Sequence, residues 1–124
     1  MTILVADDDR VQTMMLSKCL KAKGFQVIMA YDAIQAWISA IQSRPDVILL
    51  DIQMPGGTGL GVLKQLKSST KTCQIPVIVL TGSIDPKSAT TVKDLGADEF
   101  LHKPVDLEDL YRTLSRLLGN IAGM

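Results

Sequence analysis

Residues 2–9 read TILVADDD: an apolar run, Thr2 to Ala6, that ends directly in three carboxylates, Asp7, Asp8 and Asp9. The run is short, rich in β-branched and aliphatic residues and bounded by charge, which predicts a buried strand. Adjacent like charges repel and are expensive to desolvate. A cluster of them at the mouth of a buried strand points to a hard divalent cation, which prefers oxygen ligands and offsets the repulsion. Two later runs end in a similar way: Val47-Ile48-Leu49-Leu50 in Asp51, and Val77-Ile78-Val79-Leu80 in the hydroxyl of Thr81. If the three runs are neighbouring parallel strands, their polar tips meet at one edge of a sheet. The result would be a compact acidic metal site with a candidate nucleophile beside it.

Outward from this stretch, strand-like and helix-like segments alternate to the end of the chain. From Arg10 to Lys23, Val11, Met14, Met15, Cys19 and Leu20 recur near helical spacing, and Gly24 stops the helix. Phe25 to Ala30 reads as a second strand, and Ile34, Trp37, Ile38 and Ile41, at intervals of three and four, give a second, amphipathic helix. Pro45 ends that connection before a third strand, Asp46 to Leu50. Met54 to Gly59 is a loop on its glycine and proline content, followed by a short helix with Leu60, Leu63 and Leu66 inward. Ser68 to Gln74 is a polar loop, and Pro76 opens the fourth strand. Asp85-Pro86 starts a helix that Gly96 ends, and Asp98 to His102 is a shorter fifth strand. The last helix carries Leu107, Leu110, Tyr111, Leu114, Leu117 and Leu118, with Asp106, Glu108 and Asp109 placed to complement its dipole. The pattern is (βα) five times over. Continuous apolar strands imply a parallel sheet covered on both faces, a doubly wound three-layer α/β sandwich of order 2-1-3-4-5. Ligands of such sheets bind beyond the strand C-termini at the switch point, here between strands 1 and 3.

The chain has 124 residues, which suits a single domain over 1–124 with its core at about 2–118 and a tail or linker edge at 119–124. Thirteen basic residues balance thirteen acidic ones, so nothing favours electrostatic capture of nucleic acid or an anionic membrane. No apolar stretch approaches the roughly 18 residues of a membrane span, and no secretory signal is present. Cys19 and Cys73 have no metal-ligand spacing and read as reduced thiols of a cytoplasmic protein.

Each polar tip has an ordinary alternative. One aspartate of the triplet could cap the first helix, but a cap needs only one. Asp51 is the carboxylate at the mouth of the central strand, and aspartate is a covalent acceptor of phosphoryl groups. Thr81 alone would be a strand terminus, and Lys103, ahead of Pro104, a solvated lysine; beside the other tips Lys103 suits a phosphate or an aspartate. His102 reads as a structural or surface residue. The glycines from Gly56 to Gly61 lack the lysine and hydroxyl end of a phosphate-binding loop and follow the third strand, so they read as a loop beside the acidic site.

Taken in order, Val5-Ala6-Asp7-Asp8-Asp9, Asp51-Ile52-Gln53-Met54-Pro55, Leu80-Thr81-Gly82, Gly96-Ala97-Asp98 and Lys103-Pro104 resemble the signature of receiver domains of bacterial response regulators. The resemblance runs from residue 2 to about 118 and implies the flavodoxin-like fold of the chemotaxis regulator, whose strand order is the one expected above. It implies that Asp51 is the phosphoacceptor, taking a phosphoryl group from a sensor histidine kinase or phosphotransfer protein. It implies Mg²⁺ held by Asp8, Asp51 and the main-chain carbonyl of Gln53, with Asp7 acting through water and Asp9 left as a helix cap or outer charge. Lys103 would pair with Asp51 and later with phosphate. Thr81 would donate its hydroxyl to the phosphoryl group, and Phe100 would be the aromatic switch residue, where relatives often carry tyrosine. Ser83 and Gln53 would tune the access of hydrolytic water, and Thr58 stands where the family often has aspartate. The last helix-strand-helix face, from about Pro86 to Leu118, would meet an effector or output domain, and phosphorylation could drive homodimerisation. The implied protein is a signalling domain of a two-component phosphorelay, not an enzyme; only self-phosphorylation and self-dephosphorylation are expected, with no binding to nucleic acid or membrane.

Two other functions fit parts of the pattern. A receiver-like module that works without phosphorylation would be favoured by loss of Asp8, Asp51 or Lys103, and all three are present. A haloacid-dehalogenase-type phosphatase also uses an aspartyl phosphate but needs a second aspartate two residues on, where this chain has Gln53.

Overall fold

The structure, a computed structural model, describes residues 1–53, 59–82 and 91–119. Met54 to Thr58, Ser83 to Thr90 and residues 120–124 lie outside it. With them go the expectations placed on the Met54-Pro55 turn, Thr58, Ser83, the helix start at Asp85-Pro86 and the end of the tail.

Five strands form one parallel sheet: β1 (Thr2–Ala6), β2 (Gln26–Ala30), β3 (Val47–Asp51), β4 (Val77–Thr81) and β5 (Glu99–His102). Their order is β2-β1-β3-β4-β5, as the alternation predicted. Helices α1 (Arg10–Ala22), α2 (Ala33–Ser43), α3 (Gly59–Ser68) and a C-terminal helix (Leu107–Leu118) pack on it, and residues 91–94 are also helical. Strand alternation divides the core between two faces. Leu4, Ala6, Ile48, Leu50, Val77 and Val79 meet α2 and α3 on one side. Ile3, Val5, Val47, Leu49, Ile78 and Leu80 meet α1 and the C-terminal helix on the other. None of these twelve side chains has exposed surface, and each larger one contributes about 1.5–3 kcal/mol by burial. The sheet is therefore a rigid platform for whatever its strand ends carry.

Two helices sit on different faces from those expected. In α1 the buried residues are Thr13, Leu16, Ser17 and Leu20. Val11, Met14 and Met15, members of the apolar helical spacing, are 71%, 57% and 63% exposed. In α2 the sheet side is Ala33, Ala36 and Ala40, while Ile34 and Ile38 are exposed and Trp37 and Ile41 half-buried. The cause is the same in both. Small residues let a helix approach the sheet closely, whereas a count of bulky apolar side chains overlooks alanine, serine and threonine. In α3, Val62, Leu63 and Leu66 are buried as the spacing suggests, with Leu60 half-buried. Helix ends follow local chemistry: Gly24, at φ +95°, takes the turn after α1, and Arg44, at φ +44°, ends α2 ahead of Pro45. Strand bounds shift by about one residue, so that Pro76 precedes β4 rather than opening it.

Candidate functional site

Strands β1 and β3 are neighbours in parallel register, with Ala6 opposite Leu50. The next residue of each, Asp7 and Asp51, therefore emerges at the same edge. Asp7 is fully buried, Asp51 nearly so, and Asp8 is exposed. One oxygen from each of the three carboxylates lies within 4.8 Å of the others. The turn is held locally: the Asp7 N–H donates to the Ala30 carbonyl at 3.0 Å, and the Asp9 N–H donates to Asp7 Oδ1 at 2.9 Å. Asp9 caps α1, its Oδ1 accepting from the Gln12 N–H at 3.1 Å. On β3 the Gln53 N–H donates to Asp51 Oδ1 at 2.9 Å.

Lys103, joined to Pro104 by a cis peptide bond, reaches this cluster from beyond β5. Its N–H donates to the Thr81 carbonyl at 2.7 Å, which anchors it beside β4. Its ammonium lies 3.1 Å from Asp51 Oδ2, the expected partner, and 2.9 Å from Asp7 Oδ2, a contact the sequence did not suggest. Thr81 is buried at the end of β4, one residue past Leu80, which pairs with Asp51. Phe100 pairs with Val79 and is half-buried against the α2 and α3 side of the core, away from the carboxylates. His102 is exposed at the end of β5 and takes no part in the cluster.

Electrostatics bear on both ends of the Lys103–Asp51 pair. Burial raises the Asp51 carboxyl above its ordinary value, and this outweighs the lowering effect of the Gln53 N–H and of Lys103. Burial pulls the Lys103 ammonium down, but its hydrogen bonds to Asp7 and Asp51 together outweigh that and hold it above its ordinary value. The site thus combines a desolvated carboxylate with a firmly protonated lysine.

The donors suit a hard dication. All are carboxylate oxygens, and one ammonium leaves three carboxylates with an excess of negative charge. Asp7 Oδ2 is buried, and beyond its contact with the Lys103 ammonium no other donor among the described residues reaches it, so it has unused acceptor capacity.

Two further residues serve the site without having been read as such. Gly59 begins α3 against the backbone of Asp51 and Ile52: a Cβ there would stand 2.2 Å from Ile52 Cα and 2.5 Å from the Asp51 carbonyl oxygen. The signal was present in the glycine-rich loop but could not be assigned to one glycine. Thr13 donates its buried hydroxyl toward the main chain of the acidic turn. Its signal is the 13-16-17-20 spacing, hidden by two polar residues. Asp98, from the Gly96-Ala97-Asp98 motif, lies at the far end of the sheet, where it accepts from Lys67 Nζ at 3.1 Å and from the Val77 N–H at 2.9 Å.

Comparison with known proteins agrees with this geometry. The family described as response regulator receiver domain matches residues 3–115. Response regulator MprA of Mycobacterium avium is 37% identical over 118 residues, covering 95% of this chain and 51% of that protein. The chain therefore spans about half the length of the curated relatives it matches. Chemotaxis response regulator CheY4 of Vibrio cholerae superposes with a TM-score of 0.87 at 32% identity, over 94% of this chain and 97% of that one. The receiver domain of sensor histidine kinase PA1611 from Pseudomonas aeruginosa has a TM-score of 0.87 at 28% identity, over 96% and 98% of the two chains, and holds a magnesium ion in its active site cleft. With its fold, its strand-end carboxylates and these relatives in agreement, the chain belongs to the response regulator receiver domain family.

Proposed function

We propose that this receiver domain takes a phosphoryl group onto Asp51 from a phosphohistidine of a sensor histidine kinase or phosphotransfer protein. The observation that carries the reading is the convergence of Asp7, Asp8 and Asp51 oxygens within 4.8 Å, with Lys103 on the buried pair. An Asp51 carboxylate oxygen attacks phosphorus, the phosphorus–nitrogen bond breaks, and its electron pair stays on the imidazole nitrogen. Asp8, Asp51 and the Gln53 carbonyl would hold Mg²⁺, with Asp7 acting through water, as the magnesium in the PA1611 receiver domain supports. Bound there, Mg²⁺ would neutralise charge on the transferring phosphoryl oxygens. Lys103 exchanges its Asp51 contact for a phosphate oxygen, and Thr81 donates its hydroxyl to the same group. Phe100, on β5, follows that rearrangement. The face from about Pro86 to Leu118, of which residues 91–118 are described, carries the signal to an effector, an output domain or a second copy. The domain works in the cytoplasm and catalyses only its own phosphorylation and dephosphorylation. Gln53, where a phosphatase of the dehalogenase type needs an acidic residue, supports the signalling reading.

The test is incubation with Mg²⁺ and acetyl phosphate, read by intact mass. The wild-type chain should gain one phosphoryl group, chelation of the metal should prevent it, and Asp51→Asn should abolish it. An adduct that survives Asp51→Asn, or none on the wild type, would sink the assignment.

A further inference from the structure

Thr13 lies in α1 on the face that meets the sheet and has no exposed surface. A threonine inside a helix commonly bonds the carbonyl four residues back, and Thr13 does so, its Oγ1 lying 2.7 Å from the Asp9 carbonyl oxygen. That bond alone would be ordinary; Thr113 makes its equivalent to the Asp109 carbonyl at 2.8 Å in the C-terminal helix. Thr13 differs in that its hydroxyl also faces a second carbonyl, that of Asp7, at 3.3 Å. The two carbonyls flank Asp8 on either side. A hydroxyl carries one proton, so the interaction is three-centred, with Asp9 the stronger acceptor and Asp7 the weaker.

We propose that Thr13 is a positioning residue of the acidic site: its buried hydroxyl ties the Asp7 and Asp9 carbonyls together and sets the backbone from which the Asp7 and Asp8 carboxylates project. The inference rests on the reading that this site binds Mg²⁺. The ties made by the N–H groups of the turn act elsewhere. The Asp7 N–H is fixed to Ala30, and the Asp9 N–H to the Asp7 side chain. The Asp9 carbonyl also accepts the Thr13 N–H at 2.9 Å, so what the hydroxyl itself adds is the reach to the Asp7 carbonyl, which links the start of the turn to the body of α1. Replacing the hydroxyl with a methyl group takes this donor from the buried Asp7 carbonyl, while the Asp9 carbonyl keeps the Thr13 N–H, and lets the peptide plane ahead of Asp8 tilt. Mg²⁺ tolerates little departure from octahedral geometry, so a small tilt is felt as lost affinity.

The experiment is calorimetric titration of Mg²⁺ into the whole chain as wild type, Thr13→Val, Thr13→Ser and Thr113→Val, with amide exchange at Asp9 recorded without metal. Thr13→Val should weaken Mg²⁺ binding about tenfold, the lower end for groups that orient metal ligands, and speed exchange at Asp9. Thr13→Ser should restore both, and Thr113→Val should change neither. Should Thr13→Val not fold, Thr13→Ala takes its place with the same expectation. Wild-type affinity in Thr13→Val or Thr13→Ala overturns the proposal, as does an equal loss in Thr113→Val. A wild-type chain that does not bind Mg²⁺ overturns the metal reading itself, and is recognised because the failure precedes any substitution.

Discussion

The Lys103 ammonium lies 2.9 Å from Asp7 Oδ2, nearer than the 3.1 Å that separates it from Asp51 Oδ2. Lys103 is thus a shared counter-ion for two buried carboxylates on adjacent strands, and not only the partner of Asp51. Breaking a buried pair by removing one partner typically costs about 3–5 kcal/mol, because a buried charge is left uncompensated.

Lys103 is a fifth exposed, so water moderates that cost. Lys103→Met should lower stability by about 2 kcal/mol in urea denaturation without divalent cation. Saturating Mg²⁺ should shrink the loss, since the dication offsets the same repulsion. An equal loss with and without Mg²⁺ would show that lysine and metal do not address the same carboxylates.

The acidic triplet divides by role, and Asp9 offers a clean separation. It caps α1 through the Gln12 N–H. Asp9→Ala should cost about 1 kcal/mol of stability, while Asp9→Ser, which keeps a capping oxygen, should cost only a few tenths. Both variants should still take phosphate from acetyl phosphate. Loss of phosphorylation in Asp9→Ala would move this carboxylate into the site.

Much of this was legible before any coordinates. Asp7, Asp51 and Thr81 could be placed at one edge because strand tips of a parallel sheet share a side, and three continuous apolar runs mark those strands. Lys103 could be placed by its position after the fifth strand, but its closer contact with Asp7 depends on how far its stem reaches across the sheet edge. The faces of α1 and α2 were misjudged because hydrophobic periodicity weighs size. Ala36, Ala40, Thr13 and Ser17 are buried because they are small, not because they are strongly apolar. Thr13 was hidden by the same bias.

Gly59 shows how steric demand escapes pattern reading. Its N–H donates to the Ile52 carbonyl at 3.1 Å, and a Cβ would collide with the Asp51–Ile52 backbone, which cannot rotate away as a side chain can. Gly59→Ala should therefore shift α3 or the end of β3 at Asp51. The expected cost is about 3 kcal/mol, at the upper end for overpacking, with slower phosphorylation from acetyl phosphate. Unchanged stability together with an unchanged rate would mean that α3 can move off the strand freely.

At the other edge of the sheet, Arg116 of the C-terminal helix donates to the Glu99 carboxylate on β5. That bond holds the Glu99 carboxyl below its ordinary 4.5, helped by the Phe100 N–H and opposed by partial burial. A carboxylate whose folded-state value is depressed stabilises the fold above its unfolded value and loses that contribution as pH falls through the folded one. Arg116→Gln should therefore raise the Glu99 titration midpoint toward 4.5, followed by NMR. Wild type should exceed the variant in stability at pH 7 by no more than about 1 kcal/mol, because Arg116 is largely exposed. The difference should fall away as the pH drops through the folded-state titration of Glu99, once the carboxylate is protonated in both. A gap that persists in acid would show that Arg116 supports β5 by packing rather than by charge, and the link between the last strand and the last helix would then not depend on this ion pair.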